Sequence, residues 1–136
     1  MKRYFARLLA MVLAAVISLT MAAGPSLAAS SAMTGNYPED TLMVVEALRQ
    51  AVDLPGDAPD KAELQATARG LINDFAARYR RDRKVASLPS FTTMQTALNA
   101  LAGHYSSYPN RPLPDKLKAR LNKEFKRVEL SIKRGN

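Results

Sequence analysis

FTTMQTALNALAGHYSSYPNRPLPDKLKARL, residues 91–121, holds two helical stripes and the turn between them. Phe91, Met94, Leu98, Leu101, Tyr105 and Tyr108 follow one another at steps of three and four residues, the spacing of a helix that buries one face in a bundle. Pro109 and Pro112 forbid its continuation, while Asn110 and Arg111 fill the turn and Pro114 leads into the next helix. A second helix starts after Pro112 or Pro114 and runs to about residue 133, with Leu117, Leu121, Phe125, Val128 and Ile132 turned inward.

The same periodicity continues upstream. Residues 38–52 predict a helix with Leu42, Val45, Leu48 and Val52 as its stripe, capped by Asn36 or Tyr37 and with Glu39 and Asp40 at its positive end. Residues 58–81 predict another, in which Leu64, Ala68, Leu71, Ile72, Phe75 and Tyr79 share one face. DLPGDAP, residues 53–59, separates the two, and no segment between the helices alternates as a strand does. Four helices with short connections predict an all-α domain, an up-down-up-down four-helix bundle over residues 37–134.

The N-terminus has a different character. Lys2, Arg3 and Arg7 precede an apolar run over residues 8–23, and small residues follow the break at Gly24 and Pro25, so residues 1–28 predict a cleavable export signal and residues 29–36 a flexible leader. Cleavage lowers the formal charge of +8 by three, because the segment contains no acid. The basic remainder favours acidic protein surfaces or anionic headgroups, and export argues against nucleic acid. With no cysteine in the chain, core packing alone must hold the domain, and thiol catalysis and zinc-thiolate sites are excluded.

Catalytic and metal signals are weak. His104, the sole histidine, has Ala100, Leu101, Ser107 and Tyr108 as helical neighbours, none of them a carboxylate to orient it. A Ser107–His104 hydrolase is the only catalytic pairing the spacing offers, and a rim histidine at a helix end explains the residue without one. Asp53, Asp57 and Asp60 do not follow the ligand pattern of a calcium loop and are read as turn and cap acids. The predicted catalytic, cofactor and metal sites are therefore none.

Two clusters remain as docking candidates. RYRRDRK, residues 78–84, sets five cations around one acid at a helix exit, from which Arg78, Arg81, Arg83 and Lys84 are chosen for electrostatic approach. Tyr108, Asn110 and Arg111 in the proline-rich turn are chosen for local fit, since a rigid turn loses little entropy on binding. Lys116, Lys118, Arg120, Lys123, Lys126 and Arg127 of the last helix are read as spread around it, a pattern that favours solubility.

TGNYPEDTL at 34–42, LINDFAARYRRD at 71–82 and LPSFTTMQTALNALAGHYSSYPNRPLPDKLKARL at 88–121 closely resemble the lumenal photosystem II assembly factor family. The resemblance spans residues 33–134. It implies a monomeric, non-enzymatic accessory protein of the thylakoid lumen that binds no pigment or metal. Its implied partner is a lumenal loop of the inner antenna chlorophyll-binding subunit of immature photosystem II, and its implied task is to keep extrinsic subunits off until the manganese cluster is assembled. Many members resemble lipoproteins with a cysteine after the signal, whereas SLAASSAM, residues 26–33, has none, so membrane attachment is expected through the partner. The alternative is an exported basic bundle that binds an anionic membrane surface.

Overall fold

The computed structural model describes residues 33–109 and 111–136. The expected signal at 1–28 and Asn110 lie outside the described residues. Five helices and no strand are found among those described: α1 (Tyr37–Asp53), α2 (Lys61–Tyr79), α3 (Arg83–Ala86), α4 (Pro89–Ser107) and α5 (Asp115–Lys133). The four long helices are those expected from apolar periodicity. The side chain of Asn36 accepts from the Glu39 amide at 3.4 Å and begins α1, while Pro89 occupies the first turn of α4, where its missing N–H leaves nothing unsatisfied.

The short α3 is a departure from the expected run through residue 81. Asp82 accepts from the backbone amides of Lys84 at 2.9 Å and Val85 at 3.4 Å, so its carboxylate caps a new turn and ends the old helix. Four residues are too few to show a helical period, which is why the sequence hides this element.

Helix α1 packs against α2 and α5, α4 packs against the same two helices, and α3 rests on α4. The core runs through this ring, with Val44, Val45, Leu48, Met94, Leu101, Tyr105, Leu121, Phe125 and Val128 sealed from solvent. Side-chain bonds fasten the seams: Arg49 to Glu129 at 2.9 Å and Asn122 to Asp53 at 2.9 Å both join α1 to α5. Phe75 of α2 stacks on Phe91 of α4 with ring centroids 6.3 Å apart.

Three expectations change. Leu42 is 37% exposed, because Thr41 takes the inward position and satisfies its hydroxyl on the Tyr37 carbonyl at 2.6 Å. Tyr108 is 48% exposed: as the C-cap of α4 it leaves the helical path at φ −135° and ψ 65°, so the phase of the stripe is lost there. Part of the segment expected as a flexible leader is fastened to the bundle. Met33 is buried, and the amides of Thr34 and Gly35 donate to the Asp40 carboxylate at 2.7 and 3.0 Å. Gly35 is suited to this loop, with a left-handed φ of 90° that a side chain would strain.

Candidate docking surfaces

The cationic cluster begins where α2 ends. Tyr79 points into the core while Arg78 and Arg80 on either side of it are exposed, so one buried tyrosine sets the direction of both guanidinium groups. Tyr79 donates to Asp40, whose carboxylate also accepts from the Thr34 hydroxyl at 3.0 Å and from the two loop amides. Burial pushes the Asp40 carboxyl upward, but these hydrogen bonds together hold it below the usual carboxylate range. The Tyr79 hydroxyl is raised by burial and by its bond to that carboxylate. A buried anion thus pins the helix exit from which the cations project.

Arg78 lies over the N-terminal loop so closely that a Cβ on Gly35 would come within 2.9 Å of its Nη2. Arg81 follows α2, and Arg83 and Lys84 stand on α3, all exposed. None of these four is in an ion pair among the described residues. Beside them, Asn73, Ala76, Ala77, Arg80 and Arg81 line an open trough of about 420 Å³. It adjoins a narrower cleft of about 140 Å³ between α2 and α4, whose lining includes Asn73 and Ala76 from α2 and Phe91, Gln95 and Asn99 from α4.

The second cluster lies elsewhere. The His104 ring tilts against Tyr108 at 5.4 Å, the Arg111 guanidinium sits 5.6 Å over the same ring, and His104 Nε2 is 3.5 Å from the Arg111 carbonyl. Tyr108 is the centre of a cation and aromatic stack. Among the described residues Ser107 makes no hydrogen bond to His104, so the Ser–His pairing weighed from spacing is not formed. Tyr108 follows the last turn of α4, whereas Phe91, in its first turn, meets Phe75 near the cationic exit of α2. From Phe91 to Tyr108 the chain rises about 25 Å along the axis of α4, which sets the two clusters near its opposite ends.

The structure therefore gathers Arg78, Arg81, Arg83 and Lys84 at one end and Tyr108 with Arg111 at the other. They do not form one patch. Sequence reasoning missed Asn73, Arg80, Gln95 and Asn99. A signal for the α2 part exists, since Asn73, Ala76, Ala77 and Arg80 recur at intervals of three and four on the side of α2 away from its apolar stripe.

Comparison with known proteins supplies what the surface alone does not. The family model described as Photosystem II Pbs27 matches residues 3–132. The chain belongs to that family. Within the Pbs27 family it is 54% identical over 134 residues to the protein of Thermosynechococcus vestitus named Photosystem II assembly factor lipoprotein Psb27, covering 98% of this chain and 97% of that one. It is 34% identical over 107 residues to the Arabidopsis thaliana protein named Photosystem II repair protein PSB27-H1, chloroplastic, covering 78% of this chain and 62% of the relative. The solution structure of Psb27 from cyanobacterial photosystem II is similar at a TM-score of 0.73 and 60% identity, covering 76% of this chain and 90% of that one.

The family expected from residues 34–42, 71–82 and 88–121 is thereby borne out. One contrast within the Pbs27 family is plain. The Thermosynechococcus relative is named a lipoprotein, and this chain contains no cysteine.

Proposed function

We propose that this Pbs27-family chain is a non-enzymatic accessory factor in the assembly and repair of photosystem II. The observation that carries the reading is its 54% identity, across 134 residues, to a protein named as an assembly factor of that complex. In this reading the chain works in the thylakoid lumen as a monomer peripheral to the membrane, after removal of residues 1–28. It binds transiently to a lumenal loop of the inner antenna chlorophyll-binding subunit and keeps extrinsic subunits off until the manganese cluster is assembled.

The fold in this reading is an up-down-up-down bundle. Its support is the pairing of the first turn of α1 with the last turn of α2 through Asp40 and Tyr79, and of Arg49 and Asp53 with Glu129 and Asn122 in reversed order. The docking end is the cationic one. Arg78, Arg81, Arg83 and Lys84, free of internal ion pairs among the described residues, draw in an acidic loop, and the trough beside Arg80 and Arg81 receives it. Tyr108 and Arg111, at the far end, belong to a separate contact.

Capture from thylakoid extract tests this. The chain retains photosystem II lacking its extrinsic subunits, and the variant Arg78→Gln, Arg81→Gln, Arg83→Gln, Lys84→Gln loses most of that capture. Retention of mature, oxygen-evolving complexes alone defeats the reading.

A further inference from the structure

We propose that the outward face of α5 is a membrane-contact surface that lays the bundle on bilayers rich in anionic headgroups. The buried side of α5 is set by Leu121, Phe125 and Val128. Opposite them, Lys116, Lys123, Lys126, Arg127, Lys133 and Arg134 are all exposed. At 3.6 residues per turn these six fall within an outward arc of roughly 120°. Of the basic residues expected to spread around the helix, Lys118 and Arg120 do lie outside this arc, Lys118 half-buried with its ammonium 3.4 Å from the Leu54 carbonyl, while Lys116, Lys123, Lys126 and Arg127 share it with Lys133 and Arg134.

That face has almost no counter-charge. Glu124 is bonded to Arg120 at 3.1 Å and Glu129 to Arg49 at 2.9 Å, so the two glutamates of α5 nearest the lysines are already engaged. Asp115 at the first turn is the one exposed acid on the helix. Near the middle of the basic arc stands Leu130, 43% exposed, an apolar side chain positioned to enter the headgroup layer once the cations approach it.

Charge complementarity would serve an acidic protein as well, but two observations favour lipid. Four of the six cations are lysines, flexible point charges that suit a fluid array of headgroups, whereas the docking end is dominated by arginines, whose planar forks suit fixed carboxylates. The chain also contains no cysteine, while the Thermosynechococcus relative is named a lipoprotein, so a cysteine-linked lipid is not available from these residues and a basic face offers another hold. The placement permits both contacts together. Helix α2 and α5 each pack on α1 and α4, so they occupy opposite corners of the ring, and the partner-docking cations leave the α5 face free.

Flotation of the full chain with phosphatidylglycerol-rich vesicles, against pure phosphatidylcholine vesicles, tests the proposal. The comparison is made between variants of the same full chain, so residues 1–32 contribute equally to each. The wild-type chain partitions more strongly onto the anionic vesicles, and raising the salt from about 0.05 to about 0.3 M removes most of the excess. The variant Lys123→Gln, Lys126→Gln, Arg127→Gln keeps its helical circular dichroism and loses about tenfold of the anionic partition. Leu130→Ala gives a smaller loss that salt does not change. The quadruple variant at residues 78, 81, 83 and 84 still floats, even where it no longer captures photosystem II, which separates this proposal from the reading above. Equal partition of the wild type onto both vesicles overturns it. So does an α5 variant that floats like the wild type, including one that loses photosystem II capture instead, since the face would then be a protein interface.

Discussion

Tyr79, in the last turn of α2, donates a 2.5 Å hydrogen bond to Asp40 in the first turn of α1. The same carboxylate holds Thr34 and Gly35, so one buried anion joins two helices and the segment before them. Tyr37 adds a second fastening nearby: its hydroxyl shares a 2.9 Å hydrogen bond with Ser90 at the start of α4. The end of the bundle from which Arg78, Arg81, Arg83 and Lys84 project is therefore closely fastened by side-chain hydrogen bonds.

Removing one partner from that anion separates its contributions. Tyr79→Phe loses a charge-assisted bond while the other donors remain, and is expected to lower stability by about 1.5–3 kcal/mol. Asp40→Ala leaves the Tyr79 hydroxyl and the loop amides without their acceptor and is expected to be worse. Urea denaturation midpoints measure both, and equal stability of Tyr79→Phe and the wild type would show that the bond contributes nothing net.

The acid dependence follows from the direction of the Asp40 shift. Its folded pKa lies below the unfolded value of about 3.9, so its stabilisation is complete above that value and is lost as the pH falls through the lower folded one. The bundle is expected to keep this contribution at mildly acidic pH and to lose it only in stronger acid. Asp40→Asn should flatten that part of the acid limb, read as the denaturation midpoint against pH.

At the alkaline end Tyr105 contributes to the change beside Tyr37 and Tyr79, whose hydroxyls burial also raises. Burial pushes its hydroxyl up to about 12, against a weaker opposite pull from Arg69, and no partner for that hydroxyl is found among the described residues. The folded value lies above the unfolded one of about 10, so the stabilisation is present below pH 10 and is lost as pH rises through about 12. Tyr105→Phe removes a buried hydroxyl left unpaired and is expected to be neutral or stabilising by about 1 kcal/mol at neutral pH, with a shallower alkaline limb. A loss of several kcal/mol would reveal a partner for that hydroxyl.

Two leucines that look alike in the sequence should behave differently. Leu101→Ala empties a sealed core position and is expected to lose about 2–5 kcal/mol. Leu42→Ala, at a position 37% exposed, is expected to lose less than about 1 kcal/mol. Thermal melts of the two variants decide whether Leu42 belongs to the core.

Much of the fold was legible because apolar residues at steps of three and four announce a buried face wherever the helix is long enough. Leu98, Leu101, Tyr105, Leu121 and Phe125 are where that rule puts them. The rule fails at ends and short pieces. Tyr108 has the correct spacing but sits on a residue that has left the helix, and α3 exists because Asp82 caps four residues that have no period of their own. The buried role of Asp40 was hidden for a related reason. An acid in a first turn is expected there for the helix dipole, and its bond to Tyr79 spans 39 residues.

The sequence by itself determined the helical class, the four long segments, the excess of basic charge and, through its motifs, the family, because each of these depends on residue types and on spacing within about a turn or two. Which cations share a surface was decided only in three dimensions. Packing aimed Lys116, Lys123, Lys126 and Lys133 of α5 outward together and left Lys118 against the Leu54 carbonyl, and the length of α4 carried Tyr108 and Arg111 far from Arg78 and Lys84, since direction and distance between elements are set by the buried seams and not by any local run of residues.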